Sequence, residues 1–326
     1  MKLTCSVIIR ALNEDAHIGK LLFGLKQQTH APEEIILVDS GSTDRTVEIA
    51  KSYGVKVVSI DKSDFTFGRS LNLGCRVATG DILLIASAHV FPTQSTWVEE
   101  MLSPFLDDTA EIVYGKQSGC ETTKFSEHCI FRSWFPDTSD VNQRSLFCNN
   151  ANCAIRRNTW LKIPYDENLT GLEDIAWAGS LRSKFPDAKI VYNAEAEIVH
   201  VHDESFKQIT NRYFRESLAL AHIKPEMRMH LGDAAHLFVR NTISDFEEAI
   251  KAKQFMAHFG SIVSFRAAQF FGAWRARRQK SMDINRALHE RLYYPGQKAV
   301  RLPDDPAGSR TRPSAIQYDA FRTNQN

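Results

Sequence analysis

The sequence predicts an α/β fold with a mostly parallel sheet, covered by helices on both faces and followed by a helical C-terminal extension. Short β-branched runs alternate with stretches of helical spacing along the N-terminal part of the chain. That alternation builds parallel strands joined by crossover helices. After Ser205 the strand signals give way to helical spacing with few turn residues. The length of 326 residues suits one large core plus an appendage.

Val7-Ile8-Ile9 reads as a buried first strand. Ile18, Leu21, Leu22 and Leu25 then mark a helix that Asn13 or Asp15 could cap. Pro32 breaks the pattern, and Ile35–Val38 is the second strand. Thr43–Tyr53 reads as a helix stopped by Gly54, and Val55–Ile60 as the third strand. Arg69–Ala78 is helical, Gly80 ends it, and Ile82–Ile85 is the fourth strand. Trp97–Leu106 reads as a helix and Ile112–Tyr114 as a strand. From about Cys120 to Asn142 the chain is rich in Phe, Trp, Pro, Asp and Ser, the composition of a long functional loop with a short helix inside. Phe147–Ile155 is a further strand, Asn158 opens a helix, and Ile175–Lys184 is another. Lys189–Tyr192 and Glu197–His202 are the last strand-like runs. Phe206–Ile223 and Ala235 to about Leu292 are helical, and the tail after Pro295 has a loose composition.

Composition excludes several classes. Lys and Arg number 40 against 39 Asp and Glu, so no overall charge favours nucleic acid and any charged partner must meet a local patch. The six cysteines form no C-x-x-C pair, and no signal-peptide pattern is found, which is the expectation for reduced thiols in a cytoplasmic protein. Zinc at Cys120, His128, Cys129, Cys148 and Cys153 has weak support, because only Cys148 and Cys153 approach finger-like spacing. No run nears the roughly 18 apolar residues that cross a bilayer. The expected protein is soluble or peripheral to a membrane.

The first strand is followed by Ala11-Leu12-Asn13-Glu14, not by the G-x-G-x-x-G of a dinucleotide site, and there is no P-loop. The Gly-rich triphosphate loop of a sugar nucleotidyltransferase is missing too. What remains is a crevice at the carboxyl ends of parallel strands, where open α/β sheets bind ligands. Asn13 and Glu14, Asp39–Asp44, and Ser87-Ala88-His89 each follow a strand and converge there.

These residues carry a resemblance. Ser6–Glu14, Val38–Asp44, Gly68–Gly74 with Ala78–Asp81, and Gly171–Asp174 occur in the order and spacing of family 2 glycosyltransferases, over about the first 200 residues. The chain resembles their rhamnosyltransferase-like subgroup. The resemblance implies the GT-A fold, a Rossmann-like nucleotide-diphospho-sugar transferase architecture. It implies a nucleotide-sugar-binding and catalytic domain over 1–204, a helical extension over 205–294 and a flexible tail over 295–326. The implied activity is sugar transfer from a nucleotide-sugar to a glycan or lipid-linked glycan in surface polysaccharide biosynthesis, with inversion at the anomeric carbon. A non-catalytic nucleotide- or carbohydrate-binding relative is the alternative.

The same resemblance assigns residues. Asp39 would accept hydrogen bonds from base or ribose, a task suited to an ionised carboxylate. Arg10, Asn13, Glu14, Ser40, Asp44, Arg69, Asn72, Ser87 and His89 would join it around the donor. Arg69 is expected to pair with the diphosphate, although Asn72 and Gly74 suit a packing role better. Asp174 matches the general base, with Glu173 orienting the acceptor or tuning it. The sequence departs from the family at the metal motif, where Ser87-Ala88-His89 replaces Asp-x-Asp. His89 with His200 or His202 would then hold a divalent cation, Mn²⁺ or a softer ion in preference to Mg²⁺. Without an ion, His89 would meet the diphosphate directly. Arg212 and Arg215 are candidates for the leaving diphosphate, and Asn149, Asn150, Asn152, Trp134 and Phe147 for the acceptor pocket. Phe255, Phe259, Ile262, Val263, Phe270 and Trp274 recur at near-helical spacing before a basic cluster. That pattern suits packing on the catalytic domain, a homodimer contact, or docking on an anionic membrane surface.

Overall fold

The computed structural model describes residues 3–106 and 110–279, together with Tyr293 and Tyr318. Apart from Tyr318, whose hydroxyl donates to the Pro92 carbonyl at 2.7 Å, the expected flexible tail lies outside the described residues, as does the end of the expected helical run. Strands β1 (Cys5–Ala11), β2 (Glu34–Asp39), β3 (Lys56–Ser59) and β4 (Ile82–Ser87) alternate with helices α1 (Asp15–Lys26), α2 (Thr46–Ser52) and α3 (Phe67–Val77). Then come β5 (Val90–Pro92), α4 (Trp97–Leu102) with one 3₁₀ turn after it, β6 (Ala110–Ser118) and α5 (Phe125–Trp134). The domain continues with β7 (Asn152–Arg156), α6 (Arg157–Lys162), α7 (Glu173–Lys184) and β8 (Lys189–His200). The extension consists of α8 (Phe206–Ile223), α9 (Leu231–Lys251) and α10 (Phe255–Ala276).

The strands form one sheet in the order β3-β2-β1-β4-β7-β6-β8-β5. β1 pairs in parallel with β2 and β4, and β6 with β8, while β7 runs against both its neighbours and β5 against β8. With β2 and β3 also parallel, four of these seven pairings are parallel, so the sheet is mixed: its β3-β2-β1-β4 half is parallel as expected and its other half is largely antiparallel. The alternation of side chains in β1 explains its two-sided burial. Val7 and Ile9 point into the layer with α1 and α4, and Ile8 into the layer with α3 and α7. Both layers are apolar, so the strand reads as a continuous hydrophobic run.

Some elements differ from the sequence reading. Phe147–Ala151 is not strand, and β7 starts at Asn152. The two final strand runs are one twelve-residue strand, β8, whose pairing with β6 shifts register between Gly115 and Gln117. The short strand β5, on the sheet edge beside β8, gives too brief a pattern to read. The long helical stretch after Ala235 is two helices, broken where Lys253 takes φ 57°. Neither Asn13 nor Asp15 caps α1. The cap position is Glu14, and the first-turn N–H groups of Glu14 and Asp15 donate instead to Thr46 Oγ1 and Asp44 Oδ2 from the next loop.

Candidate active site

Two loops at the carboxyl ends of β1 and β2 are laced together. Asn13, at φ 55°, accepts the Thr43 N–H at 2.8 Å and donates its own N–H to Ser42 Oγ at 2.9 Å. Asp44 accepts from Thr46 N–H and Oγ1 and from Asp15 N–H, so its carboxylate joins the first turns of α1 and α2. Ser40 donates its hydroxyl to the Ala11 carbonyl at 3.2 Å. Asn13, Ser40 and Asp44 thus hold the loop in shape. Asp39 ends β2 at 6 % exposure and accepts the Gly41 and Ser42 N–H groups at 3.1 and 3.2 Å. An ionised carboxylate has about four acceptor positions, so capacity remains for a ligand.

The stretch Gly68–Gly74 has a structural explanation. A Cβ on Gly74 would lie 2.6 Å from Ile8 Cγ2, and one on Gly68 2.1 Å from the Asp166 carbonyl oxygen. The glycines let α3 lie directly on β1 and on the segment before α7. Asn72 is buried and its amide is saturated. It donates to the Tyr165 carbonyl and Glu167 Oε1, and it accepts from Trp160 Nε1 and Tyr165 N–H. Arg69 pairs with Glu167 at 2.9 Å and donates to the Asp64 carbonyl at 3.0 Å. Both residues, expected at the donor, clamp the segment leading into Gly171–Asp174. Glu167 is their shared partner, and nothing in its sequence context marks it.

That segment delivers the acid pair. Leu172 adopts φ 55°, a left-handed conformation uncommon for leucine, and α7 begins at the next residue. Such outliers concentrate where a site holds backbone in a required shape. Asp174 accepts the Asn150 N–H at 3.0 Å and the Ile175 N–H at 2.8 Å. Burial, and then the neighbouring Glu173 charge, push its carboxyl up to about 7 against the pull of those two donors and of Arg10. Glu173 is paired with Arg10 at 3.2 Å and accepts from the Asn150 amide at 3.3 Å. The Phe67 ring carries two guanidiniums, Arg10 at 4.5 Å and Arg215 at 4.7 Å. The sheet thus brings Arg10 of β1 to the acid pair of α7.

Ser87 ends β4, and its N–H donates to the Ala151 carbonyl at 3.4 Å. Beyond it, three imidazoles gather where β4 and β8 end. The His89 and His200 rings stack at 5.0 Å, and the Nε2 atoms of His200 and His202 are 3.1 Å apart. One nitrogen from each of the three lies within 4.8 Å of the others, a grouping that could hold a cation. Two ligands at right angles, about 2.1 Å from one ion, are about 3 Å apart, so the residues fit the group. Burial lowers both His200 and His202, and neutral imidazoles are what an ion requires. Burial opposes protonation of His89 as well, but the Glu14 carboxylate, 2.8 Å from its Nδ1, wins and raises it. Glu127 of α5 holds His202 Nδ1 at 2.9 Å and Arg212 of α8 at 2.8 Å. Burial alone would raise Glu127, but Arg212 and His202 hold it well below the usual carboxylate range. A second grouping, Glu127, His202 and Glu204, adjoins the first.

The candidates for other roles divide. Arg212 is paired with Glu127 and Glu204. Asn152 is fully buried and saturated by Trp97, Lys116 and Ala196, so it braces the sheet and is no part of an acceptor pocket. Trp134 is 52 % exposed and packs on Phe147 at 4.6 Å. Among the described residues, no cysteine belongs to a grouping that could hold a metal. In α10, Ile262, Phe265 and Phe270 are buried while Met256, Phe259 and Phe271 are exposed, so much of the apolar recurrence serves packing.

The α/β sheet and its helices have the GT-A architecture of glycosyltransferases of known structure. Among solved structures, a mannosyltransferase from Pyrobaculum calidifontis, in complex with GDP-Man and Mn²⁺, superposes with TM-score 0.57 at 15 % identity, covering 86 % of this chain and 89 % of that one. Glucosyl-3-phosphoglycerate synthase from Mycobacterium tuberculosis, in complex with Mn²⁺, UDP and glucosyl-3-phosphoglycerate, superposes with TM-score 0.51 at 18 % identity, covering 68 % and 80 %. Residues 6–163 match the model of Glycosyl transferase family 2. The chain carries a family 2 domain and is a glycosyltransferase. It is 24 % identical over 306 residues to the O-antigen chain rhamnosyltransferase RfbN of Salmonella typhimurium, covering 90 % of this chain and 95 % of that protein. It is also 24 % identical over 281 residues to the O-antigen chain rhamnosyltransferase WbaN of Salmonella anatum, covering 82 % and 87 %. No helix among the described residues is long and apolar enough to cross a membrane.

Proposed function

We propose that the protein transfers a sugar from a nucleotide-diphosphate donor to a glycan or lipid-linked glycan during surface polysaccharide assembly, with inversion at the anomeric carbon. The observation that carries this is Asp174, a buried carboxyl pushed up to about 7 on the opening turn of α7 beside the strand ends. A carboxylate poised near neutral pH takes the proton of an acceptor hydroxyl as its oxygen attacks the anomeric carbon. The nucleoside diphosphate leaves from the opposite side. Asp39 would bind the base or ribose, and Glu173, held by Arg10, would orient the acceptor. His89, His200 and His202 would hold a divalent cation, which when bound would supply positive charge for the diphosphate. The near full-length rhamnosyltransferase relatives make rhamnose the first sugar to test. The neighbours solved with Mn²⁺ make that ion the first cofactor to test. Contact with a membrane surface or a second copy through the C-terminal helices belongs to the same proposal. It is supported by exposed Met256, Phe259 and Phe271 along α10 and by exposed Arg277 and Arg278 just after its end.

The test is transfer from nucleotide-rhamnose donors to a lipid-linked glycan, with the anomeric configuration of the product read by NMR. Inversion in the wild type and turnover reduced about a hundredfold or more in Asp174→Asn support the reading. Retention, or full activity of Asp174→Asn, overturns it.

A further inference from the structure

The three imidazoles of the cation grouping are each fixed from behind, by a different element. Glu14, at the start of α1, meets His89 Nδ1 at 2.8 Å. Gln117 of β6 meets His200 Nδ1 at 2.8 Å. Glu127 of α5 meets His202 Nδ1 at 2.9 Å. A carboxylate only accepts, so Glu14 and Glu127 require an N–H on the Nδ1 they face, and the Gln117 oxygen requires the same of His200. Each neutral ring is then left with a lone pair on Nε2. The Nε2 atoms of His200 and His202 are 3.1 Å apart, the spacing of two ligands set about 2.1 Å from one cation that lies to their side.

We propose that Glu14, Gln117 and Glu127 are positioning residues that fix these imidazoles in one tautomer around a common cation, and that Arg212 ties this shell to the C-terminal extension. The inference rests on the cation reading given above and adds how the site is set. Acceptors behind metal-bound histidines fix ring orientation and raise ligand basicity. Glu127 carries two loads, His202 on Oε1 and Arg212 on Oε2. Arg212 also pairs with Glu204 at 2.7 Å, so helix α8 holds the orienting carboxylate in place. Arg212 is therefore a positioning residue, where the sequence suggested a phosphate contact. Glu14, expected at the nucleotide, is engaged with His89. An all-imidazole set prefers Co²⁺ over Mn²⁺, and either over Mg²⁺, which favours oxygen and water.

The experiment is titration of the full chain, stripped of metal, with Co²⁺ alone, followed by its visible absorption and by calorimetry. Wild type should bind one ion, in the order Co²⁺ tighter than Mn²⁺ tighter than Mg²⁺. Glu127→Gln and Glu14→Gln should each weaken Co²⁺ binding about 10- to 100-fold and alter the absorption band. Arg212→Met should act in the same direction as Glu127→Gln. The Glu14 side chain is 19 % exposed, so its variant keeps the test sound if changes at the buried Glu127 impair folding. Unchanged Co²⁺ affinity and spectrum in both Glu variants overturn this inference and leave the cation reading intact. A wild type that binds no ion overturns both. That is the result if the Gln117 amide is turned the other way, donating to His200 Nδ1 so that His200 donates to His202.

Discussion

At the residue scale the molecule separates side chains that face chemistry from those that hold the loops. In the proposed reaction Asp174 belongs to the first kind. Its carboxyl is raised from its ordinary value to about 7, so the folded state binds a proton that the unfolded state has already lost between about pH 4 and pH 7. The stability this contributes is fully present below the ordinary value and is lost as pH rises through about 7. Thermal melts across pH 4 to 8 should show that loss in wild type and not in Asp174→Asn. In the same variant, turnover should fall about a hundredfold to ten-thousandfold. In wild type, kcat/KM should rise with pH through about 7. Asn72 belongs to the second kind. Asn72→Ala leaves the Trp160 Nε1–H and Tyr165 N–H buried without an acceptor. Urea unfolding should show a loss of about 3 kcal/mol. The sequence singled out Asp174 because Gly171–Asp174 resembles a family motif, and the structure buries that carboxyl on the opening turn of α7. The sequence also placed Arg69 and Asn72 at the donor. The partners that engage them, Glu167 and Tyr165, lie more than ninety residues away and leave no local signal.

At the element scale, β1, β2 and β4 were legible because they are largely buried on both faces and read as apolar runs. The helix α3 was legible too, but the reason for its glycines was not. Gly74 lies against Ile8 and Val38 of β1 and β2. Gly74→Val should force the helix off the sheet and lower stability by about 2 kcal/mol, measured by denaturant unfolding with an unchanged slope. The irregular stretch after Cys120 hid its most consequential residue. Glu127 lies in a helix that contacts both the imidazoles and α8, and nothing in a Phe- and Ser-rich segment distinguishes a buried acid from an exposed one. The merging of two strand runs into β8 was illegible for a similar reason, since pairing register across Gly115 and Gln117 is set by β6.

At the scale of the whole molecule, the C-terminal helices complete the catalytic core. Phe214 and Leu218 of α8 and Ala276 of α10 belong to the same buried cluster as Ile8, Trp177 and Leu181. Arg212 joins α8 to Glu127 behind the imidazoles. A chain ending at residue 204 should therefore lose the cooperative unfolding transition seen for the full chain, followed by circular dichroism. In the proposed function the strand-end crevice binds a nucleoside diphosphate and a cation. The most direct measurement is a thermal-shift panel of UDP-, GDP-, dTDP- and CMP-linked ligands, each with Mn²⁺, Mg²⁺ or EDTA, on wild type, Asp39→Ala and His89→Ala. A ligand that binds only the native state raises its melting temperature. Stabilisation by one nucleotide class is expected, lost in Asp39→Ala, with a dependence on added cation that disappears in His89→Ala. A wild-type melting temperature unmoved by every ligand and ion, or moved equally in both variants, would contradict it.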